Sequence, residues 1–218
     1  MVQKFLVLLL LFSTPVLGQQ EQLKMAKLQY SGGGDWYANK TALPNLAIFC
    51  NDELKTNFDQ GNYSVPVSSP ELFDYAFIYM TGHGNVVFSS AETENLRNYL
   101  ISGGFLHIDD NYGLDAFVRL EMKKVFPELE FIELPFDHEI YSQKFTFDKG
   151  LPKIHEHDNK PPQGFGLIYE GRLVCFYSYE SDLGNGWEDQ RVHNDPQAKR
   201  LEALQMGANI ISYAFTQN

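Results

Sequence analysis

The stretch Gly103-Gly104-Phe105-Leu106-His107-Ile108-Asp109-Asp110-Asn111-Tyr112-Gly113 decides the fold of this chain. A glycine pair ends one helical pattern, a short apolar run follows, and the run empties into His, two Asp and an Asn before a new helical pattern begins at Leu114. This is the pattern of a buried parallel strand, and open α/β sheets bind their ligands at the carboxyl ends of such strands. The stretch predicts a fold class and the place of a site, and it leaves the reaction open.

Outward from that strand, helical and strand patterns alternate, which predicts one α/β domain with a mostly parallel sheet. Met25 to Tyr30 reads as the first strand and leads into Ser31-Gly32-Gly33-Gly34-Asp35-Trp36-Tyr37. Thr41 is placed to cap a helix running to about Thr56. Tyr63 to Val67 is a weak strand, and Tyr75 to Met80 a strong one ending at Thr81-Gly82-His83-Gly84-Asn85. Ser89-Ser90-Ala91-Glu92 is a capping box, and Leu96, Leu100 and Ile101 form the buried stripe of its helix. The helix after Leu114 points Phe117, Val118, Met122 and Val125 inward and stops at Pro127. Leu129 to Leu134 is a further strand, ending at Pro135-Phe136-Asp137-His138. Gly166 to Tyr169 and Leu173 to Tyr177 form a hairpin through Glu170-Gly171, and a last helix runs from Pro196 to about Phe215.

Right-handed crossovers place the carboxyl ends of parallel strands on one side. Asp35, His83, His107, Asp109, Asp110, Asp137, His138, Tyr179, Glu180 and Asp182 are then expected around one cleft. Within it, His83, His107, Asp109, Asp110 and His138 are the candidate acid–base groups. Asp35, Trp36, Asn111, Tyr112, Tyr179, Glu180, Asp182 and Trp187 are the candidate substrate contacts. Each has a structural alternative. His107 suits a buried imidazole bonded to a neighbouring carboxylate, and Asp109 and Asp110 suit helix caps. Trp187 is either a lid or a seal on the core, and Gly32-Gly33-Gly34 either an anion cradle or a turn. His155 and His157 share a face of an extended segment and either chelate a divalent metal or anchor a loop. His193 beside Asp195 reads first as a device at a helix entry.

Residues 1–18 read as a cleavable export signal. Lys4 is its charged start, Phe5 to Phe12 its apolar run, and Val16-Leu17-Gly18 its cleavage site before Gln19, leaving a domain over 19–218. A periplasmic or secreted protein without stable membrane insertion is expected. The formal net charge is −11, and the signal carries one Lys and no acid, so cleavage makes the chain more acidic still. That balance argues against nucleic acid and anionic lipid as partners, and for a small polar ligand or an envelope component. Cys50 and Cys175 both read as small core residues, with no Cys-x-x-Cys motif.

Several runs resemble a bacterial family called domain of unknown function 4159. They are Thr81-Gly82-His83-Gly84, Leu96-Arg97-Asn98-Tyr99-Leu100, the strand from Gly103 to Gly113, Lys153 to Asp158, Tyr177 to Asp182 and Met206-Gly207-Ala208-Asn209-Ile210. That family is similar to the class I glutamine amidotransferase-like superfamily, including its trehalose-utilisation-type members. The resemblance implies a flavodoxin-like three-layer sandwich. The amidotransferases carry a cysteine at the strand-to-helix elbow. Here Asp109 and Asp110 stand at that elbow, so thiolate chemistry is excluded. His138-Glu139-Ile140 stands where the trehalose-type relatives have His-Pro-Ile. Two functions are expected: a hydrolase, metal-dependent or not, acting on a polar or carbohydrate-derived substrate, or a non-catalytic domain that binds a ligand or envelope partner.

Overall fold

The computed structural model describes residues 22–217. Seven strands join one sheet in the order β2-β1-β3-β4-β7-β6-β5. They are β1 (Met25–Gln29), β2 (Tyr63–Pro66), β3 (Phe77–His83), β4 (Phe105–Tyr112), β5 (Ile132–Glu133), β6 (Gln163–Tyr169) and β7 (Arg172–Tyr179). Only β6 runs against the rest. The first five positions, β2-β1-β3-β4-β7, have the flavodoxin-like arrangement, and the hairpin partner β6 and short β5 extend it.

Helices cover both faces. On one lie α1 (Ala42–Leu54), α4 (Leu183–Trp187) and α6 (Gln197–Thr216), and on the other α2 (Ser90–Ile101) and α3 (Asp115–Val125). Side chains alternate along β4, so Phe105 enters the first core while Leu106 and Ile108 enter the second. Cys50 and Cys175 fall in different cores, both as free thiols. A disulfide between them is therefore excluded by the sheet itself.

Local signals are obeyed where they are strong. Ser89 and Glu92 form the reciprocal capping box. Glu170 and Gly171 turn the hairpin with φ of 50° and 86°, the two positive values that a tight type I′ turn needs. Other expectations are corrected. Ile101 is exposed because it falls off the Leu96–Leu100 face that α2 buries, and Phe117 sits on the outer side of α3. Thr41 precedes α1 without capping it; its hydroxyl donates to Glu188 and accepts from Asp189 N at 2.9 Å. The strand expected over Leu129–Leu134 shrinks to Ile132–Glu133, which are in register with β6, and Leu134 N–H adds one bond to Gly164 O at 2.8 Å. The polar stretch after Tyr179 contains α4 and a further short helix, α5 (Gln190–His193), neither of which its composition announces.

The export signal expected over 1–18 lies outside the described residues. Among those described, no helix is long and apolar enough to cross a membrane.

Candidate functional site

β4 runs four residues past its apolar part, so His107, Asp109 and Asn111 face the α1–α6 layer from inside the sheet. Each is bonded within that layer, although His107 Nδ1 is buried without a partner. The Ser178 hydroxyl donates to Asp109 Oδ1 at 2.6 Å. Tyr79 OH donates to Oδ2 at 3.2 Å, and the main-chain N–H groups of Leu183 and Gly184 donate at 3.2 and 2.7 Å. Burial raises the Asp109 carboxyl to about 6 against the pull of these donors. His107 Nε2 lies 2.9 Å from Ser178 Oγ, and its ring is enclosed by Phe77, Tyr79, Phe176 and Trp187. Burial holds that imidazole neutral, with its pKa lowered to about 3. Gly184 is required beside this network: a Cβ there would fall 1.8 Å from the Tyr79 hydroxyl. Asn111 Oδ1 accepts from Thr81 Oγ1 at 3.1 Å.

Asp110, on the other side of the strand, anchors the elbow. Its Oδ1 accepts from the N–H groups of Tyr112 and Leu114 at 2.8 and 3.0 Å, and its Oδ2 accepts from Tyr177 OH at 3.2 Å. The elbow throws Tyr112 outward with φ of 143°, costly for an aromatic residue, and leaves it 48% exposed.

Two imidazole–carboxylate pairs flank Tyr112. On one side is His83, which is in register with Tyr112 across the sheet. Its Nδ1 lies 3.0 Å from Asp35 Oδ2, and both side chains are substantially exposed. The crevice between β1 and β3, where the strand order reverses, is closed by the loops that follow them. Gly34 N–H donates to Asn85 O at 3.0 Å, and Ser31 bridges to Val87. The glycine run is therefore a turn packed onto its neighbour.

On the other side the His157 ring stacks on Tyr112, with centroids 4.8 Å apart. His157 Nε2 lies 2.6 Å from Asp182 Oδ2. The His157 side chain is 25% exposed and that of Asp182 is 0% exposed. Burial first, then the charges of Asp109 and Asp110, push the Asp182 carboxyl up to about 9. Its Oδ1 is buried with no partner, and its backbone is held at φ 60°. His155 joins the same group. Its Nε2 is 2.9 Å from Asp195 Oδ1, while Asn185 Nδ2 donates to its Nδ1 at 3.1 Å. With both nitrogens taken, His155 is a loop anchor. Among the described residues, no three His, Cys, Asp or Glu side chains are arranged to hold a metal.

The remaining expected residues divide plainly. Glu180 is buried and ion-paired to Lys153 at 2.9 Å, and Tyr179 packs against Phe165 with Lys160 over its ring. Trp187 is fully buried and donates to Ala203 O at 2.7 Å, which makes it a seal and not a lid. Trp36 packs beside the second core. His138 is not at the rim. Its Nδ1 accepts from Ile140 N, and its ring lies against Tyr213, ten residues further along α6 than Ala203, the buried partner of Trp187. That is about 15 Å down the helix. His193 lies against the ring of His155, and Asp195 bonds His155 instead of capping α6. Asp195 and Asn185 as partners of His155 were missed; the one signal for them was the nearness of a Gly-Asn-Gly-Trp turn to an Asp, both far from His155 in the chain.

The arrangement at His157 can move a proton. A half-open imidazole rests on a buried carboxyl, and its Nδ1 makes no hydrogen bond among the described residues. No protein of curated function matches the sequence. The profile of the domain of unknown function family DUF4159 matches residues 24–215, nearly everything the structure describes. The chain belongs to the DUF4159 family.

Proposed function

We propose that this protein is a hydrolase acting on a polar substrate, with His157 as the general base. The observation that carries this reading is the 2.6 Å contact between the accessible His157 and the wholly buried Asp182. One proton is shared across that contact. Once Asp182 has given up its own proton, the proton left on the pair sits on Nε2, Nδ1 presents a lone pair to a water molecule, and the Asp182 carboxylate stabilises the imidazolium formed when His157 takes the water's proton. The exposed face of Tyr112 offers a platform for a ring or sugar face beside the attacking water. Asp35 and His83, one strand away, are placed to hold a polar group of the same substrate.

The elbow between β4 and α3 and the order of the parallel strands support kinship with the amidotransferase-like superfamily, without its thiol chemistry. The apolar run at Phe5–Phe12 supports export to the periplasm or medium, which N-terminal sequencing of the mature protein checks.

The test of the base is His157→Gln, assayed on chromogenic esters, glycosides and amides. A loss of about 10²–10⁴ in kcat with Tm held supports the reading. Activity that survives the substitution ends it. A second reading, a non-catalytic binding domain, is favoured by Asp109. The elbow position is filled by a carboxylate fully engaged in holding the β7–α4 loop. A ligand that raises Tm but is never turned over would favour that reading.

A further inference from the structure

The buried cation Lys27 stands outside the site described above. It lies on β1, facing the α1 layer, and is 3% exposed. Its ammonium donates to the main-chain carbonyls of Ala38 and Asn39, the latter at 3.1 Å. An ammonium has three N–H donors, so one is left over. Buried charges in proteins are ordinarily paired. The carboxylate acting most on Lys27 is Glu188, and Glu188 is already occupied by the N–H and hydroxyl of Thr41. Burial and the neighbouring charge of Lys40 together lower the Lys27 ammonium to about 8, against the opposing effect of Glu188.

Lys27 opens onto a cavity of about 220 Å³ at the β1–β2 edge, lined also by Lys40, Trp36, Tyr37, Asn62 and Ser64. Two cations share this space in a chain of net charge −11. Asn62 and Ser64 supply neutral polar groups, and Trp36 and Tyr37 supply apolar walls. The volume admits a phosphate or a carboxylate with a few attached atoms, and not a large ligand. We propose that this cavity is a binding site for a small oxyanion, held between the ammonium groups of Lys27 and Lys40. The site is independent of the hydrolytic reading of the rim, because none of its residues touches His157 or Asp182.

The experiment titrates the full chain with inorganic phosphate, and separately with acetate, at constant ionic strength set by sodium chloride. Phosphate at ten times its dissociation constant is expected to raise Tm by about 3 °C or more above the chloride control. Lys40→Ala is expected to cut the shift at least in half, and Lys27→Met to remove it. Acetate matching phosphate would identify a carboxylate-sized site, and a response to phosphate alone a phosphate site. If Lys27→Met does not fold, the wild-type Lys27 ¹³Cε resonance decides, since its movement on adding phosphate supports the proposal. No shift above chloride for either anion, a shift unchanged in both variants, or a Lys27 resonance that stays still would overturn it. Hydrolysis assays on the same variants separate this outcome from that of the rim, because a failed anion site leaves the His157 result untouched.

Discussion

Two imidazole–carboxylate groupings lie within the same end of this sheet, and they are built to opposite ends. His107 reaches Asp109 through Ser178, inside a box of four aromatic rings. His157 meets Asp182 directly, with one edge open to solvent. In the first, Asp109 collects four donors, and the imidazole is locked neutral. Each imidazole keeps a nitrogen without a partner, but that of His107 is sealed in the core while His157 is partly exposed, and only in the second group does the carboxylate also keep an unpartnered oxygen. Ionisable residues crowded at a strand end are therefore not a site in themselves. What separates scaffold from chemistry is whether the carboxylate is already filled with donors and whether solvent can reach the imidazole.

Substitutions can break or sharpen that contrast. Asp109→Ala strips partners from two buried main-chain N–H groups, Ser178 and Tyr79. It is expected to destabilise the fold by about 3–5 kcal/mol in urea denaturation. A variant of near-normal stability that has lost only activity would erase the contrast. Ser178→Ala removes the link between His107 and Asp109, and about 1–3 kcal/mol of stability is expected to go with it. If Ser178 instead changes turnover while stability holds, the inner group belongs to the chemistry.

Asp182→Asn acts in the other direction. The folded-state pKa of Asp182 lies above its unfolded value, so the folded state binds the extra proton. Its contribution to stability is complete below about pH 4 and is lost as the pH climbs toward about 9. Asparagine resembles the protonated form and carries no such loss. The variant is expected to gain about 3 °C in Tm at pH 8 over wild type, to show a flatter Tm profile from pH 5 to 9, and to lose hydrolysis. An unchanged profile would show that Asp182 titrates as an ordinary carboxyl.

Much of the fold was legible because its signals are local. The capping box at Ser89, the Glu170-Gly171 turn and the apolar run Phe105–Ile108 each specify their element from adjacent residues. β4 outruns its apolar run because Asp109 and Asn111 find partners on β3, on β7 and in the loop before α1, none of them near in sequence. The short helix α4 stays hidden for the same reason: tertiary burial of Trp187 and the close approach of Gly184 to Tyr79 impose it on a polar, glycine-rich stretch. At the site, the His155-x-His157 spacing correctly put two rings near one another. Their real partners, Asp182 and Asp195, lie 25 and 40 residues further on. His138 failed as a rim residue because β5 is only two residues long and the chain after it drops beside α6.

The separation of the two cysteines has a practical side. Cys50 and Cys175 are buried in different layers, and burial pushes the Cys50 thiol up to about 12 and that of Cys175 higher still, so neither offers a reactive thiolate near neutrality. Tyr112→Cys would place one reactive sulfur at the mouth of the rim without any need to delete the native pair. A fluorophore attached there would report directly whether a molecule enters between the two histidines.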